Sequence, residues 1–330
     1  MDKRARTTRL GALALAVLGA AIVAGAALGA SDHAVFRTPV FPTGIAPAFG
    51  SIWITTHRSG MVYRIDPRTN RQTASIDVAD SLCGNPVVAA AMLVVSGCNI
   101  GETGWLNGFS YEIDPRTNAV IRRIPGQFPS PGAGSIWTQR GRSILRIDPR
   151  SGVVLATIPV PGARIGAPTL EWALAGVADG SAWAVTEKTL VRVSTARNAI
   201  TNVITLPGAE NPVFAMGEIG TSYLAILGGK LWVANYPGLY EIDPTTNVAT
   251  YTGITVGPFV EWGDAPVIAA NGSLWVRTTD NKVVQMGPDL QVQHRYPAQI
   301  GGGGGSIAVA FGSLWVDNAG EDTTSRVPLA

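Results

Sequence analysis

Charge is scarce in this 330-residue chain: 15% of its residues are Asp, Glu, Lys or Arg, against roughly a quarter in an average globular protein. There is no block of like charge and no polar low-complexity tract, which excludes a disordered chain. No basic stripe of the kind that tracks phosphates is present, so nucleic acid is not an expected partner. Histidine occurs three times (His33, His57, His294) and cysteine twice (Cys83, Cys98). These numbers leave no zinc spacing, and the Gly-x-Ser-x-Gly elbow of many hydrolases is also missing. Helical periodicity of useful length is absent after residue 30. What remains abundant is turn chemistry, with 39 Gly and 22 Pro among apolar residues that make up 46% of the chain.

Residues 1–30 stand apart from the rest. Lys3, Arg4, Arg6 and Arg9 precede a run, 11–30, made entirely of Gly, Ala, Val, Leu and Ile. This reads as a secretory signal peptide or, if uncleaved, as a membrane anchor. It has no Arg-Arg pair and no lipid-anchor cysteine. Either way residues 31–330 are expected outside the cytoplasm as a single domain, with membrane contact only through the leader. The leader carries a net +3, so the body sits near −1, with +4 over residues 31–160 and −5 over 161–330. In an oxidising compartment Cys83 and Cys98 read as a disulfide, each placed in a loop on one face, that adds about 3 kcal/mol of stability through the unfolded state. Two unpaired buried cysteines are the alternative.

An internal repeat carries the architecture. Gly-Ser-Ile-Trp at 50–53 recurs at 134–137, as Gly-Ser-Ala-Trp at 180–183, as Gly-Lys-Leu-Trp at 229–232, and as Gly-Ser-Leu-Trp at 272–275 and 312–315. A degenerate copy, Ala-Met-Leu-Val at 91–94, fills the one large gap. From Trp53 through Val94, Trp137, Trp183, Trp232 and Trp275 to Trp315 the spacings are 41, 43, 46, 49, 43 and 40. A second phrase, Arg64-Ile-Asp-Pro-Arg-Thr-Asn70, returns at Glu112–Asn118, Arg146–Gly152 and Glu241–Asn247, with weaker copies at Arg192–Asn198 and Gln285–Leu290. Asp-Pro starts a turn, and Asn or Gly at its end tolerates a left-handed conformation. The unit is therefore strand, Gly turn, Trp strand, polar loop, strand, Asp-Pro turn, strand. Seven such units predict an all-β, seven-bladed β-propeller of four-stranded blades. The last unit stops after a third strand at Arg326–Leu329, and Ala34–Phe41 precede the first. This N-terminal strand is expected to complete the seventh blade and close the ring.

These phrases, Leu-Trp-Val-Ala-Asn at 231–235 and Ile-Asp-Pro-Thr-Thr-Asn at 242–247 above all, resemble the YVTN-type propeller repeats and the streptogramin (virginiamycin B) lyase family over residues 34–330. The lyase resemblance implies a His–Glu site with bound magnesium on one face. None of the three histidines here matches that motif residue by residue, so no catalytic residue is carried over. Glu210-Asn-Pro-Val-Phe214 resembles a Glu-x-Pro-x-Trp phrase of gluconolactonase-type metal propellers.

The residues outside the repeat gather on one face, where second-to-third-strand loops and blade-to-blade connections emerge. Trp105, Trp172 and Trp262 map there, with Glu171, Glu218, Glu261, Asp264 and His57. Glu218 and Glu261 each precede their blade's Trp by 14 residues and Glu171 by 12. Acids beside aromatic plates suit a cationic or sugar-like ligand. They equally suit loop carboxylates that accept backbone hydrogen bonds and indoles that cover blade ends. Two functions follow. One is a monomeric, non-catalytic module binding a small molecule, glycan or protein. The other is a lyase or lactonase whose Ca2+ or Mg2+ is held by Glu171, Glu218, Glu261 or Asp264. His57 reads as a general base or a solvated loop histidine. Gly301–Gly305 reads as an anion cradle or a supple connection, and Arg140, Arg142, Arg146 and Arg150 as a face for an acidic partner or as solvated strand ends.

Overall fold

The computed structural model describes residues 34–38, 41–98, 108–163, 172–186, 188–209, 224–235, 238–256, 267–278, 280, 282–296 and 305–330. The strands form seven separate four-stranded antiparallel sheets, the blades of a β-propeller. Blade 1 runs Pro42–Ala48, Ser51–Thr56, Met61–Asp66 and Arg71–Asp77 from the axis outward. Blades 2 to 6 repeat that order, beginning with Leu82–Ala89, Gln127–Gly132, Trp172–Ala178, Leu224–Leu227 and Val267–Ala270. Blade 7 takes Ile307–Ala310, Ser313–Asn318 and Thr323–Pro328 from the C-terminus and its outer strand, Ala34–Arg37, from the N-terminus. Ala34 pairs with Arg326 and Arg37 with Thr323, so the expected ring closure is present. A single 3-10 turn, Ala319–Glu321, is the one helical element among the described residues.

Each blade's first two strands are joined by a two-residue turn with both residues left-handed: φ is 49° and 68° at Phe49-Gly50, 48° and 69° at Ala133-Gly134, 53° and 67° at Phe311-Gly312. Such turns match the twist of a hairpin, and glycine adopts them without a Cβ clash. This is the physical role of the Gly that opens each Trp phrase. Blade 2 is the exception, because its turn is Ala90-Ala91 at φ 47° and 63°. The Asp-Pro turns obey a second rule. Asp66, Asp114, Asp148 and Asp243 each accept the backbone N–H two residues on, and Asn70, Asn118, Asn198 and Asn247 end their turns at φ near 55°.

The blade tryptophans are the core. Trp53, Trp137, Trp183, Trp232, Trp275 and Trp315 are fully buried. Each indole Nε1 donates back across its own hairpin to the carbonyl five residues earlier, Ala48, Gly132, Ala178, Leu227, Ala270 and Ala310 respectively, at 2.9–3.1 Å. Opposite the Trp, on the third strand, four blades carry an arginine whose guanidinium lies 4.9–5.4 Å from the indole centre: Arg64, Arg146, Arg192 and Arg326. Its Nε donates to the serine of its own blade's Trp phrase (Ser51, Ser135, Ser181, Ser313) at 2.9 Å. Its Nη1 crosses to the next blade. Arg64 donates to Pro115 O and Asn118 Oδ1, Arg146 to Thr195 O and Asn198, and Arg192 to Pro244 O and Asn247. Arg326 closes the ring through Pro67 O and Asn70. Burial holds the Arg326 guanidinium below its ordinary pKa, and its charge is kept because the starting value is so high. Arg146 is thus an interblade latch and not a solvated strand end.

Candidate functional site

The two faces of the ring differ in kind. On one, the two-residue turns and the Asp-Pro turns repeat around the ring. On the other, the connections differ in length. Short ones, such as 57–60, 78–81 and 141–142, alternate with segments 98–108, 160–171, 206–223, 252–266 and 297–306 between the flanking strands. The last four join blades 3 to 4, 4 to 5, 5 to 6 and 6 to 7. Glu171, Glu218, Glu261, Trp262, Asp264 and Trp105 all fall in these segments and lie outside the described residues, as does Glu210.

Two of the expected site residues are described. Trp172 is the first residue of blade 4's inner strand and is fully buried. Its Nε1 donates to Gly141 O at 3.0 Å, and its own carbonyl accepts from Gln139 Nε2 at 3.2 Å. Gln139 Oε1 in turn accepts the Leu174 N–H. Trp172 therefore pins the inner strand of blade 4 to blade 3 and presents no ring to solvent. The reason is register: the sheet begins at Trp172, which is paired with Thr186, so its side chain points into the interblade core.

His57 begins the second-to-third-strand loop of blade 1 and is 8% exposed. Its Nδ1 lies 2.7 Å from Ser81 Oγ, in the connection to blade 2, and 3.4 Å from Leu82 O. Its backbone N–H donates to Phe41 O. The Phe41 ring is tilted at 6.0 Å from the imidazole, and the Arg58 guanidinium covers Phe41 at 4.8 Å. The Ser81 partnership leaves no sequence signal, since 24 residues separate the two. Close by, Cys83 and Cys98 are bridged, with Cα atoms 5.1 Å apart. Both are buried. Cys83 is not in a loop as read from the sequence: it lies within blade 2's inner strand, paired with Ser96, where a bulge interrupts the register between Cys83 and Val87. Asn85 Oδ1 uses that bulge to accept the Ile45 N–H of blade 1.

Elsewhere on this face Gly305 approaches Asp317 so closely that a Cβ would stand 2.0 Å from the Asp317 carbonyl oxygen, and Gly305 O accepts from the buried Arg277 at 2.5 Å. Gly305 is thus required by close packing against Asp317. Gly301–Gly304 lie outside the described residues. His294 is on the exposed outer strand of blade 6. Among the described residues no three His, Cys, Asp or Glu side chains cluster as metal ligands would. No described helix is long and apolar enough to cross a membrane.

No protein-family model matches the sequence, and no curated protein is recognisably similar to it. Solved structures share the fold. Virginiamycin B lyase from Staphylococcus aureus superposes with a TM-score of 0.65 at 16% identity, covering 91% of this chain and 99% of the other. A streptogramin B lyase gives 0.65 at 16%, covering 90% and 97%. BamB from Moraxella catarrhalis gives 0.57 at 15%, covering 87% and 84%. The chain is a seven-bladed β-propeller similar in fold to the streptogramin B lyases and to BamB.

Proposed function

We propose that the protein is an extracytoplasmic binding module whose variable face takes a small ligand, glycan or protein. The observation that carries this reading is the contrast between faces. The repeating face is spent on turns and latches, while the non-repeating connections of blades 3 to 7 all leave from the opposite face. Loops on a rigid scaffold are where binding residues concentrate. Those connections bear Glu171, Glu218, Glu261, Asp264 and Trp262, and the connection within blade 2 bears Trp105. Trp172 anchors the start of blade 4's inner strand to blade 3 at this face. His57, held by Ser81, fixes the loop of blade 1 at the same face. The Cys83–Cys98 bridge supports an oxidising compartment, in keeping with the leader at 1–30.

A second reading is a metal-dependent lyase or lactonase. It is favoured by the extent of the structural likeness to virginiamycin B lyase, nearly the whole of both chains. The melting temperature of the full chain with EDTA, then with Ca2+ or Mg2+, separates the two. A ligand that binds only the folded state raises stability by about 2.7 kcal/mol at a hundredfold excess over its Kd. The binding module is expected to melt unchanged with EDTA, and its E218Q/E261Q variant to lose retention on an array of neutral and amino-sugar oligosaccharides. A fall of several degrees with EDTA, reversed by one metal and absent in E218Q/E261Q, favours the metal-dependent reading instead, and turnover in a screen of lactones then tests it.

A further inference from the structure

The latch arginines of blades 1 and 4 are held in the same surroundings. Phe49-Gly50 and Asp179-Gly180 are the same two-residue turn, with φ 49° at the first residue of both. Each arginine stacks on its own blade's Trp, at 4.9 Å for Arg64 and 5.0 Å for Arg192. Each Nε donates to the Ser that follows the turn at 2.9 Å, and each Nη1 crosses to a carbonyl and an Asn of the following blade. The two differ at the remaining nitrogen. Arg192 Nη2 donates to Asp179 Oδ2 at 3.0 Å. In blade 1 that turn position is Phe49, which carries no acceptor, and Arg64 Nη2 donates to no group among the described residues.

The surface beside Arg64 is hollowed. A cavity of about 340 Å³ is walled by Phe49, Arg64, Asp66, Arg68 and Asn118. Phe49 is 39% exposed and offers an apolar plate. Arg68 is exposed, and Asp66 Oδ1 takes its backbone N–H at 2.8 Å and lies 3.5 Å from its Nε. The Arg68 N–H holds the Asp66 carboxyl below the usual carboxylate range, so Asp66 stays charged at neutral pH. The wall therefore carries two guanidinium groups against one carboxylate, a surplus of one positive charge. Blade 4 has Ser194 and Ala196 where blade 1 has Asp66 and Arg68, and there Asp179 alone balances Arg192.

We propose that this hollow binds a small aryl carboxylate. The carboxylate takes the place that Asp179 holds in blade 4, accepting from Arg64 Nη2 with Arg68 as the second cation, and the ring lies against Phe49. Hydrogen bonds between guanidinium and carboxylate are about twice as strong as neutral ones, and paired aromatic rings add attraction beyond the area they bury. The hollow opens on the repeating face, so it does not depend on the binding role of the variable face.

Calorimetry and thermal shift on the full chain with benzoate, benzamide and sodium chloride, at matched ionic strength, test this. Benzoate is expected to bind and raise the melting temperature. Benzamide, the same ring without the charge, and chloride, the charge without the ring, should leave it unchanged. Phe49→Asp supplies the carboxylate that blade 4 carries and should abolish the benzoate response. Arg68→Gln removes an exposed cation and should weaken benzoate binding about two- to fivefold. Asp66→Asn keeps the turn-forming oxygen, removes the one negative charge of the wall, and should tighten binding by a similar factor. Equal responses to benzoate and benzamide, an unchanged benzoate response in F49D, or no response at tens of millimolar benzoate overturns the proposal. Should F49D fail to fold, R68Q and D66N decide it: an unchanged benzoate affinity in either overturns the proposal.

Discussion

The interfaces on either side of blade 2 are built on one strand register and held differently. Between blades 1 and 2, Arg64 leaves the third strand, stacks on Trp53 and reaches the turn at Pro115. Between blades 2 and 3 that position is Glu112. The arginine comes instead from the fourth strand, where Arg122 pairs with Glu112 and donates to Pro149 O and Arg150 O. The constant element is the receiving turn, whose outward carbonyls need a donor from the preceding blade. Which strand supplies the donor is free to change. When the indole disappears, the stack goes with it but the crossing hydrogen bonds remain. The latch is therefore two separable devices: an apolar plate that fills volume and a cation that satisfies carbonyls.

That separation can be broken from the strong side first. Trp183→Ala removes a fully buried plate and should cost about 3–5 kcal/mol in urea unfolding. A loss below about 1.5 kcal/mol would mean that the blades close over the gap. Next in size is Arg326→Ala at the ring seam, expected to cost about 1.5–3 kcal/mol for charge-assisted bonds to a buried carbonyl. A double-mutant cycle with Asn70→Ala should show a coupling of at least about 0.5 kcal/mol. Zero coupling would reduce the latch to packing. In the stabilising direction, Ala91→Gly relieves a left-handed alanine in the turn that lacks the family of glycines seen elsewhere. It should raise stability by about 0.5–1 kcal/mol, the left-handed penalty less the entropy that glycine brings to the unfolded chain. The same substitution logic applied to Ala133, whose neighbour is already Gly134, should give less.

The smallest effect is electrostatic. Blade 5 has Glu241 in the arginine position, and Lys230 bridges it to Asp243 at 3.5 and 2.8 Å. The Lys230 ammonium, followed by the Thr245 and Thr246 N–H groups, holds the Asp243 carboxyl down to about 2. A carboxylate depressed in the folded state stabilises above its unfolded pKa, and that contribution is lost as pH falls toward 2. The wild type should lose melting temperature between pH 4 and pH 2 more steeply than D243N. Parallel slopes would show that this exposed pair adds nothing.

The fold was legible because each blade spends the same residues on the same physics: glycine for a left-handed turn, tryptophan for the interblade gap, Asp-Pro-x-x-Asn for the outer hairpin. The spacing of Trp53 to Trp315 and the surplus strand at Ala34–Arg37 together specify seven blades and a closed ring. Half of the arginine latch was written there too, as Arg64 and Arg146 two residues before an Asp-Pro turn, but the partners lie 50 or more residues away and no local pattern reveals them. The site was less legible for the same reason. Trp172 and Cys83 look like loop residues in sequence because they fall outside the repeat, while the sheet in fact extends to include both. The Ser81–His57 contact joins two different connections and has no period at all. Residues such as Glu218 and Glu261 recur at one spacing, yet a spacing fixes a register and not a direction.

The seam of blade 7 has a kinetic meaning. Arg326 meets Asn70 across 256 residues of chain, whereas every other latch spans about one blade. Local hairpins and neighbouring blades can form while the chain is still short of its last strand. The circle itself cannot, because its final contact carries the longest loop-closure entropy in the molecule. Assembly is thus expected to run through an open arc of stacked blades, with blade 1 and blade 7 each exposing an unfinished flank until Thr323–Pro328 accepts Ala34–Arg37. In that interval the free edges are the surfaces most prone to pair with another chain, and the rate at which the two ends find one another governs how long the danger lasts.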